Sequence, residues 1–187
     1  KHFKGGEIFA YYGENTVSAP LHTDIPYGFK PYTFMKAWED GYDQVLWLDA
    51  SVVAVKDISP VFEEIASTGY IMQTIGHLLG RWVNDSCLKY FKLKREDVSN
   101  WPMYGDAGFL GLDFRSDVSR KFLKEWMKSC VGGAFNGSWD NHRHDMTCGS
   151  IIAHNLGMKM VEENKYLKYG FEDANKGEHT CLIGAGI

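Results

Sequence analysis

Apolar and polar positions alternate along the chain in blocks that change period, and the blocks define a succession of elements. Ile8 to Tyr12 is a short run rich in β-formers, closed by Gly13. The polar stretch that follows, with Pro20, Pro26 and Pro31, reads as a loop. Phe34, Met35 and Trp38 then recur at helical spacing, and that helix stops before Gly41. Gln44 to Leu48 is a continuous apolar run of strand length, the pattern of a strand covered on both faces. Ser59 is placed to cap the next helix, with Pro60 at its first position, and Gly69 to Thr74 is a second strand candidate. Residues 82 to 98 read as two short helices with Trp82, Leu88 and Phe91 on a buried face. Gly108 to Phe114 reads as a strand. In Asp117 to Cys130, Phe122/Trp126 and Leu123/Met127 pair at i,i+4, which marks the clearest helix. A last helix over about Arg143 to Asn155 and a strand over Met158 to Val161 complete the series. Strands alternating with helices predict an α/β fold with a mostly parallel sheet flanked by helices, and all 187 residues read as one domain.

Composition narrows the function classes. Hydrophobic residues at 44% and charged residues at 24% are ordinary for a globular chain, which argues against disorder. A net charge of −4 disfavours nucleic-acid binding, which draws on a basic surface to displace counterions. No apolar run approaches the ~20 residues needed to span a bilayer. Cys87, Cys130, Cys148 and Cys181 lie far apart with no C-x-x-C pair, so reduced, buried thiols and a cytoplasmic setting are expected. His144 and Cys148 stand at i,i+4, a spacing that can hold zinc, but no second pair accompanies them.

In open α/β sheets ligands bind beyond the carboxyl ends of strands, and Asp49 leaves the most apolar strand there, with Ser51 two residues on. A carboxylate at such a rim suits a hard divalent cation; a turn cap is the plain alternative. His142, Arg143, His144 and Asp145 open a helix. Arg143 and the helix N-terminus can face an anion, and Asp145 can accept a hydroxyl or a proton. Gly105, Asp106, Ala107 and Gly108 precede a strand. Small residues there let a ligand approach the backbone, and Asp106 offers a carboxylate to hydroxyls. Lys30 is long enough to meet a phosphate. Trp47 and Trp126 fit core positions, whereas Trp101 and Trp139 fall in loops and are free to stack on a ring.

The segments Tyr27-Gly28-Phe29-Lys30-Pro31-Tyr32, Gly41-Tyr42-Asp43 and Val45-Leu46-Trp47-Leu48-Asp49-Ala50-Ser51, with Asn141-His142-Arg143-His144-Asp145 about 90 residues later, resemble GT-A-type glycosyltransferases. The resemblance covers roughly residues 27 to 161. It implies a Rossmann-like nucleotide-diphospho-sugar transferase fold and transfer of a sugar from a nucleotide-diphosphate donor to a saccharide or other acceptor. It also implies Mn²⁺ or Mg²⁺ held by Asp49, Ser51 and His179, and a donor site of Lys30, Asp49, Ser51, Asp106, Arg143 and His144, with Asp145 acting at the sugar. Two departures stand out. The second acidic position of the Asp-X-Asp motif is Ser51, a poorer metal ligand. Only one short strand precedes the motif, so either Ile8 to Tyr12 is an abbreviated start or the first βα unit is missing. Both departures keep a degenerate nucleotide-sugar-binding module as the alternative.

Overall fold

The computed structural model describes residues 19–104, 108–170 and 177–184; the expected strand at Ile8 to Tyr12 and the carboxylate of Asp106 lie outside them. Helix α1 (Phe29–Glu39) begins within the proline-bearing stretch expected to be a loop. Pro31 is tolerated because a first-turn residue needs no amide donor. Asp40 and Gly41 close α1, and the positive φ of Gly41 (90°) turns the chain into β1 (Gln44–Leu48). After β2 (Val52–Ala54) comes α2 (Ser59–Thr68), in which Pro60 stands in the first turn as expected. The capping acceptor is Asp57 rather than Ser59: its Oδ1 takes the Ser59 amide at 3.0 Å and the Ser59 hydroxyl at 2.8 Å. Strands β3 (Tyr70–Met72) and β4 (Thr74–Leu78), helices α3 (Asp85–Phe91) and α4 (Arg95–Val98), and strands β5 (Pro102–Tyr104) and β6 (Phe109–Asp113) follow. Then come α5 (Asp117–Val131) and α6 (His144–Asn155), and last β7 (Leu167–Tyr169) and β8 (Leu182–Gly184).

The sheets are mixed and antiparallel, not mostly parallel. In the principal sheet, of order β1-β6-β3, both outer strands run antiparallel to β6. A second sheet has order β2-β8-β7, where β7 and β8 supply a parallel pair, and β4 pairs antiparallel with β5. The reason the pattern misled is local: a strand buried on both faces reads as a continuous apolar run in either direction. In this sheet the fully covered strand is the central β6, buried at every residue, whereas every residue of β1, which among the described strands pairs on one side only, is half-buried. Met158 to Val161 forms an isolated bridge between Val161 and Gln73 rather than a strand.

Strand β6 divides the core. Leu110 and Leu112 join Phe34, Phe122, Trp126, Phe135 and Ile151 on the face covered by α1, α5 and α6. Phe109 faces Val61 and Ile65 of α2 on the other. Helices thus lie on both faces of the sheet, as the alternation of elements implied. Gly111 is where α2 comes closest: a Cβ there would stand 2.7 Å from Ile71 Cγ2 and closer still to Ile65 Cδ1. Gly111→Ala is expected to cost about 1–3 kcal/mol through overpacking, read as a lower urea midpoint at unchanged slope.

Candidate functional site

At the end of β1 the chain turns sharply, with Val52 N–H donating to the Asp49 carbonyl at 2.9 Å, and the Asp49 amide is held by Gly108 O at 3.1 Å. Asp49 is thereby set against the end of β6, so close that a Cβ on Gly108 would stand 3.2 Å from its Oδ2. The Asp49 Oδ1 accepts the indole N–H of Trp47 at 2.6 Å and faces Lys30 Nζ at 3.3 Å. Lys30, on the first turn of α1, also lies 3.5 Å from Asp145 Oδ2 on the first turn of α6. The consecutive elements α1 and β1 and the distant α6 therefore meet at one ammonium group flanked by two carboxylates. The Lys30 and Asp145 side chains are 3% and 1% exposed, and that of Asp49 is 39% exposed, so Asp49 is the rim of the cluster and Asp145 its floor.

Asp145 is unusual chemically. Its carboxylate oxygens are buried and accept no well-formed hydrogen bond among the described residues, while its carbonyl accepts the indole N–H of the core residue Trp126 at 3.0 Å. Burial pushes the Asp145 carboxyl up to about 6; the nearby Lys30 ammonium opposes that and the Asp49 carboxylate adds to it.

Rings line the approach. Lys30 Nζ lies 5.3 Å from the ring of Tyr27 and 5.6 Å from that of Trp47. Tyr27, in the left-handed region at φ 58°, sits 5.6 Å from both Trp139 and His144. Burial and the two carboxylates, Asp145 before Asp49, raise its phenol above the ordinary value. The Arg143 guanidinium is sandwiched between Trp82 at 3.8 Å and Trp139 at 4.1 Å. His144 gives Nδ1 to the Phe135 carbonyl at 2.7 Å and stacks on Trp139, and burial lowers its basicity. A continuous chain of contacts thus runs from Trp82 through Arg143, Trp139 and Tyr27 to Lys30 and the two aspartates.

The structure brings Lys30, Asp49, Arg143, His144 and Asp145 together. Ser51 lies in the turn after β1, and its side chain makes no hydrogen bond among the described residues. His179 is exposed, and the β2–β8 register sets it away from Asp49: Val52 opposes Gly184 and Ala54 opposes Leu182, so residues before Leu182 run past the far end of β2. Trp139 joins the cluster, whereas Trp101 stacks on His154 elsewhere. Tyr27, Trp47 and Trp82 are members that sequence reasoning left out. Trp47 reads as core because it lies in an apolar run, and nothing in the local sequence announces the left-handed turn at Tyr27.

These residues do not fit the divalent cation that the motif implies. Asp49 is a single carboxylate whose Oδ1 already faces an ammonium and an indole N–H. Ser51 supplies no charge, His179 lies elsewhere, and Asp145 is sealed in the core. Lys30 is almost as buried as Asp145 and already faces both aspartates, so the charge open to an anion is that of Arg143.

No family model matches the chain, and no curated protein does. Among solved structures the chain is similar to the apo form of mouse xyloside xylosyltransferase 1, at 13% identity and a TM-score of 0.45, over 84% of this chain and 64% of that one. It is also similar to the apo structure of the bifunctional glycosyltransferase WbbM, at 12% identity and a TM-score of 0.48, over 85% of this chain and 32% of that one. Both neighbours are glycosyltransferases, and the chain spans less than two thirds of either. Among the described residues no helix is long and apolar enough to cross a membrane.

Proposed function

We propose that this chain binds a nucleotide-diphosphate sugar and transfers the sugar to a hydroxyl-bearing acceptor, a saccharide or another alcohol. The observation that supports the reading is the convergence of Lys30, Asp49 and Asp145 beside an aromatic wall that carries Arg143. Cations meet a diphosphate, a rim carboxylate accepts sugar hydroxyls, and ring faces stack on a sugar or a base. In this scheme Arg143 offsets the diphosphate, Lys30 holds the two aspartates in place from behind, and Asp49 and Asp106 take hydroxyls. His144, neutral and fixed by Phe135, shapes the donor side. In the transfer the acceptor oxygen bonds to the anomeric carbon as the bond from that carbon to the diphosphate oxygen breaks, and the acceptor's proton passes to the departing diphosphate. Asp145, which its sequence context offers to a hydroxyl or a proton, is too buried to touch that proton. Its charge instead stabilises the positive character that develops on the sugar, acting across Lys30.

A second reading, a binding module without turnover, is favoured by two observations: Ser51 replaces a carboxylate, and Asp145 lies beyond reach of solvent. One experiment separates them. The chain is incubated with nucleotide-diphosphate sugars that differ in base and sugar, binding is followed by calorimetry, and nucleoside diphosphate release is assayed with and without alcohol acceptors. Acceptor-dependent release supports transfer, binding without release supports the second reading, and neither binding nor release overturns both. Because the residues do not form a cation site, donor affinity is expected to be the same in EDTA as in Mn²⁺. A requirement for Mn²⁺ would return the metal to Asp49.

A further inference from the structure

A second group of ligating side chains lies in the core, outside the cluster described above. Cys87 on α3, His142 in the turn before α6 and Cys148 on α6 each offer one donor atom, and all three atoms lie within 4.8 Å of one another. None of the three residues is exposed. The Cys87 and Cys148 sulfurs are 3.8 Å apart. Two thiolates sharing a tetrahedral zinc ion, each bonded at about 2.3 Å, stand at that same separation of about 3.8 Å. His142 Nε2 lies 2.9 Å from the Ala134 carbonyl, which fixes the proton on that nitrogen, and the buried Nδ1 keeps a lone pair and makes no well-formed hydrogen bond among the described residues. One ring nitrogen held by a backbone carbonyl and the other bare is the arrangement of a metal-bound imidazole.

We propose that Cys87, His142 and Cys148 hold a structural Zn²⁺ ion. Thiolate and imidazole together select soft and borderline metals, and charge decides among them. Two thiolates neutralise a dication, whereas a monovalent copper ion would leave a net negative charge in a buried site. Uptake replaces two S–H bonds with two Zn–S bonds and releases two protons to solvent. With three protein ligands, the fourth position goes to a water or to a backbone carbonyl. The ion ties α3 to α6 across the segment that ends in Arg143, His144 and Asp145, so it braces the elements that carry the candidate site. Sequence spacing points instead to His144 with Cys148. In the structure His144 is turned to Phe135 and Trp139, and His142 takes its place beside the sulfurs.

The test uses the whole chain and metal alone. Protein exposed to Zn²⁺ and then desalted is expected to retain about one zinc per chain, released by a chelator with a lower melting temperature. Co²⁺ in its place should give an intense near-ultraviolet thiolate charge-transfer band and a tetrahedral visible spectrum. Cys87→Ser and Cys148→Ser should each lose the bound metal. Where those variants do not fold, the wild-type Co²⁺ spectrum decides. Three results would overturn the proposal: no retained zinc with both thiols still titratable in its presence, zinc retained undiminished by the folded variants, or a Cys87–Cys148 disulfide in the isolated protein.

Discussion

Asp145→Asn is expected to lower turnover by about 10²-fold or more while changing donor affinity far less, because it removes a charge and leaves the shape of the floor intact. The same variant should carry a signature in stability. The native carboxyl titrates at about 6 against an ordinary value of 3.8, so the folded chain holds this proton more tightly than the unfolded chain. The stability that this adds is fully present below about pH 4 and is lost as pH rises through 6, so the ionised group costs the fold about 3 kcal/mol at neutral pH. Asn abolishes that cost and substitutes a pH-independent one, about 1–3 kcal/mol for a buried amide lacking partners. His142, pushed down to about 4 by burial, titrates in both proteins and cancels in the comparison. The stability of the variant minus that of the wild type should therefore climb by about 2 kcal/mol between pH 4 and pH 7 in urea titrations. A flat difference would mean that Asp145 ionises in the folded core at its ordinary value, without the upward shift.

Lys30→Met is expected to be among the most damaging single changes to the fold. It leaves the Asp145 carboxylate buried with no cation close by, a situation that costs about 3–5 kcal/mol. The Asp49 pair adds little, since that side chain is 39% exposed and water screens it. The loss should be large at pH 7 and much smaller at pH 4, where Asp145 takes up its proton. Lys30→Met combined with Asp145→Asn should recover much of it, with a coupling of about 0.5–3 kcal/mol in a double-mutant cycle. A Lys30→Met protein as stable as the wild type at pH 7 would show that the ammonium does not organise the site.

Local sequence carried the elements that depend on local physics. The spacing of Phe34, Met35 and Trp38, the i,i+4 pairs of α5 and the Gly that ends each helix act within a few residues, and those helices stand where the pattern put them. Gln44 to Leu48 and Gly108 to Phe114 were legible as strands for the same reason. Their direction was not, because apolar burial has no polarity along the chain, and β6 lies antiparallel between β1 and β3. Strands β7 and β8 escaped because three residues show no period by themselves and, unlike β3, neither follows on the glycine that ends a helix.

The candidate site divides in the same way. Asp49 after an apolar strand, and Arg143, His144 and Asp145 at a helix start, were visible because strand ends and helix starts leave marks in sequence. That Lys30 would stand between two aspartates 19 and 115 residues farther along was not visible, nor was the placing of His142 rather than His144 beside Cys87 and Cys148. Those juxtapositions depend on how α1, α3 and α6 pack into one shared core, an energy summed over many nonlocal contacts. Burial then decided the chemistry: the same carboxylate that would be an ordinary acid on a surface helix becomes, on the floor of this site, a charge that the fold must hold against its own stability.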